Sequence, residues 1–120
     1  MGNLNIGEKG MLFAEIIWKN EPITSKHLTE LCEEQLNWKR TTTYTMLKSL
    51  CDKGVFQNDK GTVTSVMSRE ELGALKGEEI VKEDFNGSLP KFLTAFTRKN
   101  RLSSKDIDEL QKLIDDFKEE

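Results

Sequence analysis

Apolar residues recur along this chain at helical spacing, interrupted once by a short β-branched run. From Glu8 to Lys19, Leu12, Phe13, Ile16 and Ile17, widened by Met11 and Trp18, predict an amphipathic helix broad enough to pack on two sides. Asn20-Glu21-Pro22 ends it. Thr24 reads as the N-cap of a second helix, with Ile23 and Leu28 at hydrophobic-staple spacing; this helix carries Leu31 and Cys32 and fades near Leu36. A third helix starts between Asn37 and Arg40. Its Thr43, Met46, Leu47 and Leu50 form one buried stripe, and the opposite face carries Thr41, Tyr44, Thr45, Lys48 and Asp52. Gly54 is placed for a left-handed C-cap. Val55-Phe56 opens a strand, Asn58-Asp59-Lys60-Gly61 is a turn, and Thr62 to Val66 is the return strand.

After Met67 the helical period returns and lasts to the end. Ser68 caps a helix carrying Leu72, Leu75, Ile80, Val81 and Phe85, weakened by Gly73 and Gly77 and broken at Asn86-Gly87-Ser88. Leu89, Phe92, Leu93 and Phe96 make the next stripe, with Pro90 tolerated in its first turn. Ser103 is a further N-cap with Asp106 at the box position, and Ile107, Leu110, Leu113, Ile114 and Phe117 form the last stripe.

Three helices followed by a hairpin is the order of a winged helix-turn-helix. The expected fold is mostly α with a small β hairpin: a winged-helix DNA-binding domain over residues 1–67, then a helical dimerisation arm over 68–120. Three short amphipathic helices in the arm have little core of their own, so their stripes are expected to be buried against a second copy, as a homodimer.

The chain has 120 residues, 36% hydrophobic and 32% charged, which sets one core with or without an arm. No apolar run approaches the roughly 18–20 residues of a membrane span, and no secretion signal opens the sequence, so no membrane insertion and a cytoplasmic location are expected. Two cysteines, Cys32 and Cys51, fit small core residues in a reducing compartment rather than a metal knuckle or a disulfide framework. The net charge of −3 argues at first against nucleic acid. Its distribution alters that. Residues 1–67 carry eight Lys/Arg and eight Asp/Glu, whereas 68–120 carry ten and thirteen, so the arm holds the whole net charge. Between residues 39 and 53, Lys39, Arg40, Lys48 and Lys53 face only Asp52. Phosphate binding follows local basic surface within about a Debye length, ~8–10 Å, more than the sum.

Nothing in the sequence converges on catalysis. There is one histidine, His27, at the start of the second helix, no Gly-rich phosphate loop, and no Cys/His cluster at metal spacing. No catalytic residue, metal ligand or cofactor is expected. The Glu33-Glu34, Glu70-Glu71, Glu78-Glu79 and Asp115-Asp116 doublets read as solvated helix faces.

Trp18, Leu28 and Leu31, Asn37-Trp38, Thr42, Leu47 to Leu50 and Lys53-Gly54, followed by Phe85-Asn86-Gly87-Ser88, Leu102-Ser103, Ile107 and Glu109-Leu110, resemble the penicillinase-repressor (BlaI/MecI/CopY-type) family over nearly the whole chain. The resemblance implies a winged-helix homodimer that binds palindromic, double-stranded operator DNA and represses transcription, among whose targets in relatives are antibiotic-resistance genes. The third helix then enters the major groove, the wing touches the backbone, and the C-terminal helices interlock two subunits. In many members a membrane metalloprotease that senses β-lactams cleaves the arm. Here the cleavage region corresponds to Ala95-Phe96, where some relatives have Asn-Phe, and no cysteine follows Cys51 to supply the copper-sensing cluster of other members. Tyr44 and Ser49 stand where the resistance repressors carry arginines, and Lys39 where they carry a capping serine, whereas Trp38, Thr42 and Thr45 match.

The candidate DNA-binding residues are therefore Arg40, Thr41, Thr42, Tyr44, Thr45, Lys48 and Lys60. Arg40 and Lys48 suit phosphates. Thr45 offers a methyl for thymine and a hydroxyl. Tyr44 either contacts DNA or packs beside the wing. Thr41 and Thr42 serve DNA, helix-end hydrogen bonding, or both, and Lys60 reaches phosphate or is simply solvated. Leu89, Phe92, Leu93, Phe96, Ile107, Leu110, Leu113, Ile114 and Phe117 are the candidate dimerisation residues. A second reading keeps the winged helix but makes it a protein-interaction module or adaptor without sequence-specific DNA binding; the net charge and nearly uncharged wing favour it.

Overall fold

The computed structural model describes residues 4–120 and divides the chain into two compact units, Met1–Glu78 and Glu79–Glu120. In the first, α1 (Gly7–Asn20) is followed by a two-residue strand β1 (Ile23–Thr24), α2 (Ser25–Leu36), α3 (Arg40–Asp52), and the hairpin β2 (Phe56–Asp59) and β3 (Thr62–Ser65). α4 (Arg69–Asp84) begins in this unit, which thus extends past Met67, the expected end of the winged-helix segment.

The strands form an antiparallel sheet in the order β1-β3-β2, with Ile23 opposite Val63 and Thr24 opposite Thr62. The hairpin predicted from sequence is therefore a three-stranded sheet. β1 escapes a periodicity reading because two residues cannot show alternation, and the same Thr24 also caps α2 by accepting from the His27 N–H at 3.1 Å. The hairpin loop is only Lys60-Gly61, with φ of 52° and 91°. Positive φ at both central residues is the type I′ turn, whose twist suits flanking strands.

The core is built from part of the stripes read from sequence: Phe13, Ile16 and Ile17 of α1 enter it while Leu12 is exposed, and of the α4 stripe Leu72 enters it while Leu75 and Ile80 are exposed. Phe13, Ile17, Leu28, Cys32, Leu50, Val55, Phe56 and Val63 are buried together, and Leu72 of α4 joins them. Trp38 stacks on Phe13 at 5.7 Å, and Trp18 packs against Phe56 at 5.6 Å while its indole N–H donates to the Met67 carbonyl at 3.2 Å. Met46, expected within the buried stripe of α3, is only half-buried and reaches the surface. Gly54, at φ 81°, lets α3 end in a Schellman motif: the Val55 N–H donates to Leu50 O and the Gly54 N–H to Cys51 O, with Val55 and Leu50 both buried. This closure sets the angle at which the hairpin leaves the helix.

The second unit comprises the remainder of α4, then α5 (Leu89–Lys99) and α6 (Ser104–Lys118). Ser88 and Ser103 cap α5 and α6 by accepting from the N–H groups of Lys91 and Asp106. Ser68 and Glu71 make a reciprocal capping box at the start of α4. Phe92 packs edge-on against Phe85 at 5.3 Å and tilts over Phe96 at 5.9 Å. No residue of α5 or α6 is buried. Leu89, Phe96, Ile107, Leu113, Ile114 and Phe117 are all exposed, and Phe92, Leu93 and Leu110 are half-buried.

Candidate nucleic-acid interface

α2 and α3 are joined by a turn whose geometry depends on Asn37. It adopts the left-handed region at φ 58°, and its N–H closes onto Glu33 O while that of Trp38 closes onto Cys32 O. An asparagine tolerates that conformation better than most side chains. Lys39 then returns to extended backbone and α3 begins at Arg40 with no side-chain cap. Thr43, Leu47 and Leu50 turn α3's inner face into the core, so its outer face is presented to solvent.

That face holds what the sequence placed there. Thr41, Thr42, Tyr44, Thr45 and Lys48 are exposed, and Thr41, Thr42 and Thr45 line one shallow hollow with Met46 and Ser49. The hydroxyls of Thr41, Thr42 and Thr45 make no hydrogen bond among the described residues, so helix-end bonding does not occupy them. Arg40 lies at the side of this row, lining a second hollow with Lys26, Thr29, Glu30 and Glu33, and makes no ion pair among the described residues. Lys48 pairs with Asp52 one turn on at 3.3 Å, both highly exposed. An exposed pair at this spacing is worth about 0.3–0.5 kcal/mol, little to give up for a phosphate. Lys60 stands exposed at the tip of the wing.

Tyr44 does not point into the threonine hollow. Its hydroxyl reaches back to Ser25 Oγ of α2 at 3.5 Å. The Ser25 N–H in turn donates to the Gly61 carbonyl of the wing turn at 2.8 Å. At the other end of the sheet, Glu21 accepts from the Ser65 N–H at 2.7 Å and from its hydroxyl at 2.8 and 2.9 Å, tying β3 to the end of α1. Sequence reasoning missed Ser25 and Glu21, and it noted Ser49 only through the family resemblance without counting it among the candidate residues. Ser49 was within reach, standing four residues beyond Thr45 on the same face; the other two act through tertiary contacts that no local spacing encodes.

A model of the penicillinase repressor family matches residues 6–116. The chain belongs to the penicillinase repressor family. Members are regulatory DNA-binding proteins and not enzymes, so the chain's class is that of a winged-helix transcriptional regulator. The penicillinase repressor of Bacillus licheniformis is 25% identical over 108 residues, covering 87% of this chain and 84% of its own. Among solved structures, a Staphylococcus aureus MarR in complex with salicylate and kanamycin is similar at 20% identity with a TM-score of 0.43, covering 96% of this chain and 73% of that one. The outer face of α3 carries threonine hydroxyls and a phenol and is nearly neutral apart from Arg40 and the paired Lys48.

The two thiols take no part in that face. Cys32 is buried beside Thr43; burial pushes its pKa up, and an interaction with the Thr43 hydroxyl opposes the push. Thr43 Oγ1 has no well-aligned hydrogen-bond partner of its own. Burial raises the pKa of half-buried Cys51 as well, with Asp52 adding to the rise and Lys48 opposing it. Among the described residues, no helix is long and apolar enough to cross a membrane, and no group of acidic, histidine or cysteine side chains is placed to hold a metal ion.

Proposed function

We propose that this chain is a homodimeric repressor that binds a palindromic operator with α3 in the major groove and the wing against the backbone. One observation carries the reading: the outer face of α3 displays Thr41, Thr42, Thr45 and Arg40, none of which the fold uses, on a helix whose inner face is locked in the core. Structure-neutral, exposed hydroxyls and methyls on a rigid helix are groups able to read base edges, and the cations beside them position the helix on phosphates. The exposed stripes of α5 and α6 supply the dimer contact, since large apolar groups aligned on one face lose least by packing against their own copy. Ala95-Phe96 lies in the middle of α5, so a membrane sensor protease acting there has to unwind that helix first.

The test is a titration against the chain's own upstream promoter and a scrambled duplex at about 150 mM salt, where weak phosphate contacts are already screened. A preference of about 10³-fold or more supports the repressor. Equal weak binding removes autoregulation and sends the search to other operators. An absence of binding to any genomic fragment favours the adaptor reading, which the zero net charge of residues 1–67 supports.

A further inference from the structure

We infer that Ser25 and Tyr44 together form a binding site for one backbone phosphate of DNA, at the junction of α2, α3 and the wing turn. The inference rests on the DNA-binding reading above and gives Tyr44 a role other than base contact. Three observations lead to it. The Tyr44 and Ser25 hydroxyl oxygens, from two different helices, stand 3.5 Å apart at the surface. That is the long end of the hydrogen-bond range, so the two groups are adjacent but weakly satisfied by each other. The Ser25 backbone is fixed to Gly61 of the wing turn, next to Lys60. And Tyr44 is absent from the hollow formed by Thr41, Thr42, Thr45, Met46 and Ser49, standing at its edge on the α2 side.

The geometry suits a single oxygen. Two donors 3.5 Å apart can both lie about 2.7 Å from one acceptor, subtending an angle of about 80° there, as ordinary O–H···O bonds allow. In the free protein the Tyr44 proton points at Ser25, and the Ser25 proton has no partner among the described residues. An anionic oxygen takes both protons, and charge-assisted bonds of this kind are about twice as strong as the neutral bond they replace. A base edge is a poorer occupant, because a helix seated in the major groove meets bases along its centre and phosphates along its sides. Here the centre is the threonine row and the side is Tyr44.

The test uses the full chain with Tyr44→Phe, Ser25→Ala and Ser25→Thr, titrated against the upstream promoter duplex and a scrambled duplex at about 50 mM salt, where sequence-independent binding is strong. Tyr44→Phe and Ser25→Ala are each expected to weaken both duplexes by the same factor, about tenfold for each subunit that loses one hydrogen bond to a charged acceptor and so about 10²-fold for a bound dimer. The promoter-to-scrambled ratio stays unchanged. So does the slope of log affinity against log salt, because no cation is removed. Ser25→Thr restores binding. Thermal melts of each variant separate misfolding from a lost contact: a variant that melts early is set aside, and the site is judged on those that melt with the parent. A loss confined to the promoter assigns Tyr44 to a base and overturns the site; so does parental affinity in Ser25→Ala. If the parent binds neither duplex, the DNA-binding reading itself falls and takes the site with it, whereas a binding parent with unaffected variants overturns the site alone.

Discussion

Leu113 of α6 offers the sharpest test of the proposed dimer. It lies in the middle of the last stripe and is 52% exposed, so about half of its side chain remains to be covered by a partner. Replacing leucine by alanine removes three carbons, about 0.8 kcal/mol each when fully buried and about half that here, near 1.2 kcal/mol per subunit. In a two-fold symmetric interface the substitution counts twice, so Leu113→Ala is expected to weaken dimerisation by about 2–2.5 kcal/mol. That is about a 50-fold rise in the dimer dissociation constant. The fold of each subunit should be spared, because Leu113 is not part of the buried core and alanine is an equally good helix former. Sedimentation equilibrium over a wide concentration range reads the constant directly, and circular dichroism reports the helix. Lys112→Ala, one residue away on the exposed polar side, is the matched control and should change nothing. A dissociation constant for Leu113→Ala within threefold of the parent's would show that the α6 stripe is not where two copies meet.

Three further outcomes follow from the first unit. Arg40→Ala should weaken binding to every duplex and make the slope of log affinity against log salt shallower by about one per subunit bound; an unchanged slope would remove Arg40 from the phosphate contacts. Glu21→Ala, which strips the Ser65 N–H and hydroxyl of their acceptor, should lower stability by about 2 kcal/mol and shift the urea midpoint by about 1 M, with a shift below about 0.3 M counting against the tie. Burial holds the Cys32 thiol pKa above that of the unfolded chain, so its contribution to stability is full below the ordinary thiol range and declines as pH rises through it, where the unfolded chain loses its proton first. Denaturation midpoints should therefore fall more steeply between about pH 8 and 10 in the parent than in Cys32→Ala, and parallel curves would refute the shift.

How much of this was legible in the sequence differs by element. The three helices of the first unit and their buried faces follow from spacing alone, because Phe13, Ile17, Leu28, Leu47 and Leu50 recur at helical period and all end in one core. The caps at Thr24 and Ser103 were legible for the same local reason: a hydroxyl accepts from an N–H three residues along its own chain. The strand β1 was not, since two residues carry no period and Ile23 is explained equally well by the staple. The candidate site divides along the same line. Thr41 and Thr45 could be placed on the outer face by counting 100° per residue and Thr42 came from the family resemblance, but the turn of Tyr44 toward Ser25 could not be read. Those two residues are nineteen apart, and their meeting is decided by how α3 crosses α2. Met46 shows the limit of counting even within a helix: it shares the i, i+3, i+4 row with Thr43 and Leu47, yet lies at the rim of the packed face and faces the hollow instead.

The charge arrangement bears on how such a regulator would recognise DNA. On the proposed reading the cations placed for phosphate are Arg40, Lys48 and Lys60, about six in a dimer, which bounds the salt slope from these groups near −5. Lys48 must give up Asp52 to take part, so the working slope is shallower still. Counterion release then supplies less of the affinity than it does in a strongly basic domain, and neutral donors and methyl groups on α3 and at Ser25 must supply more. Contacts of that kind are short-ranged and survive salt. Those made by the threonine row also depend on which base edge is opposite, so a penalty for the wrong sequence is a larger share of the total. On this reading a net-acidic chain is expected to bind non-specific DNA less tightly at physiological salt than a strongly basic domain does, for the same reason that it can discriminate well: the sequence-independent term is the smaller share.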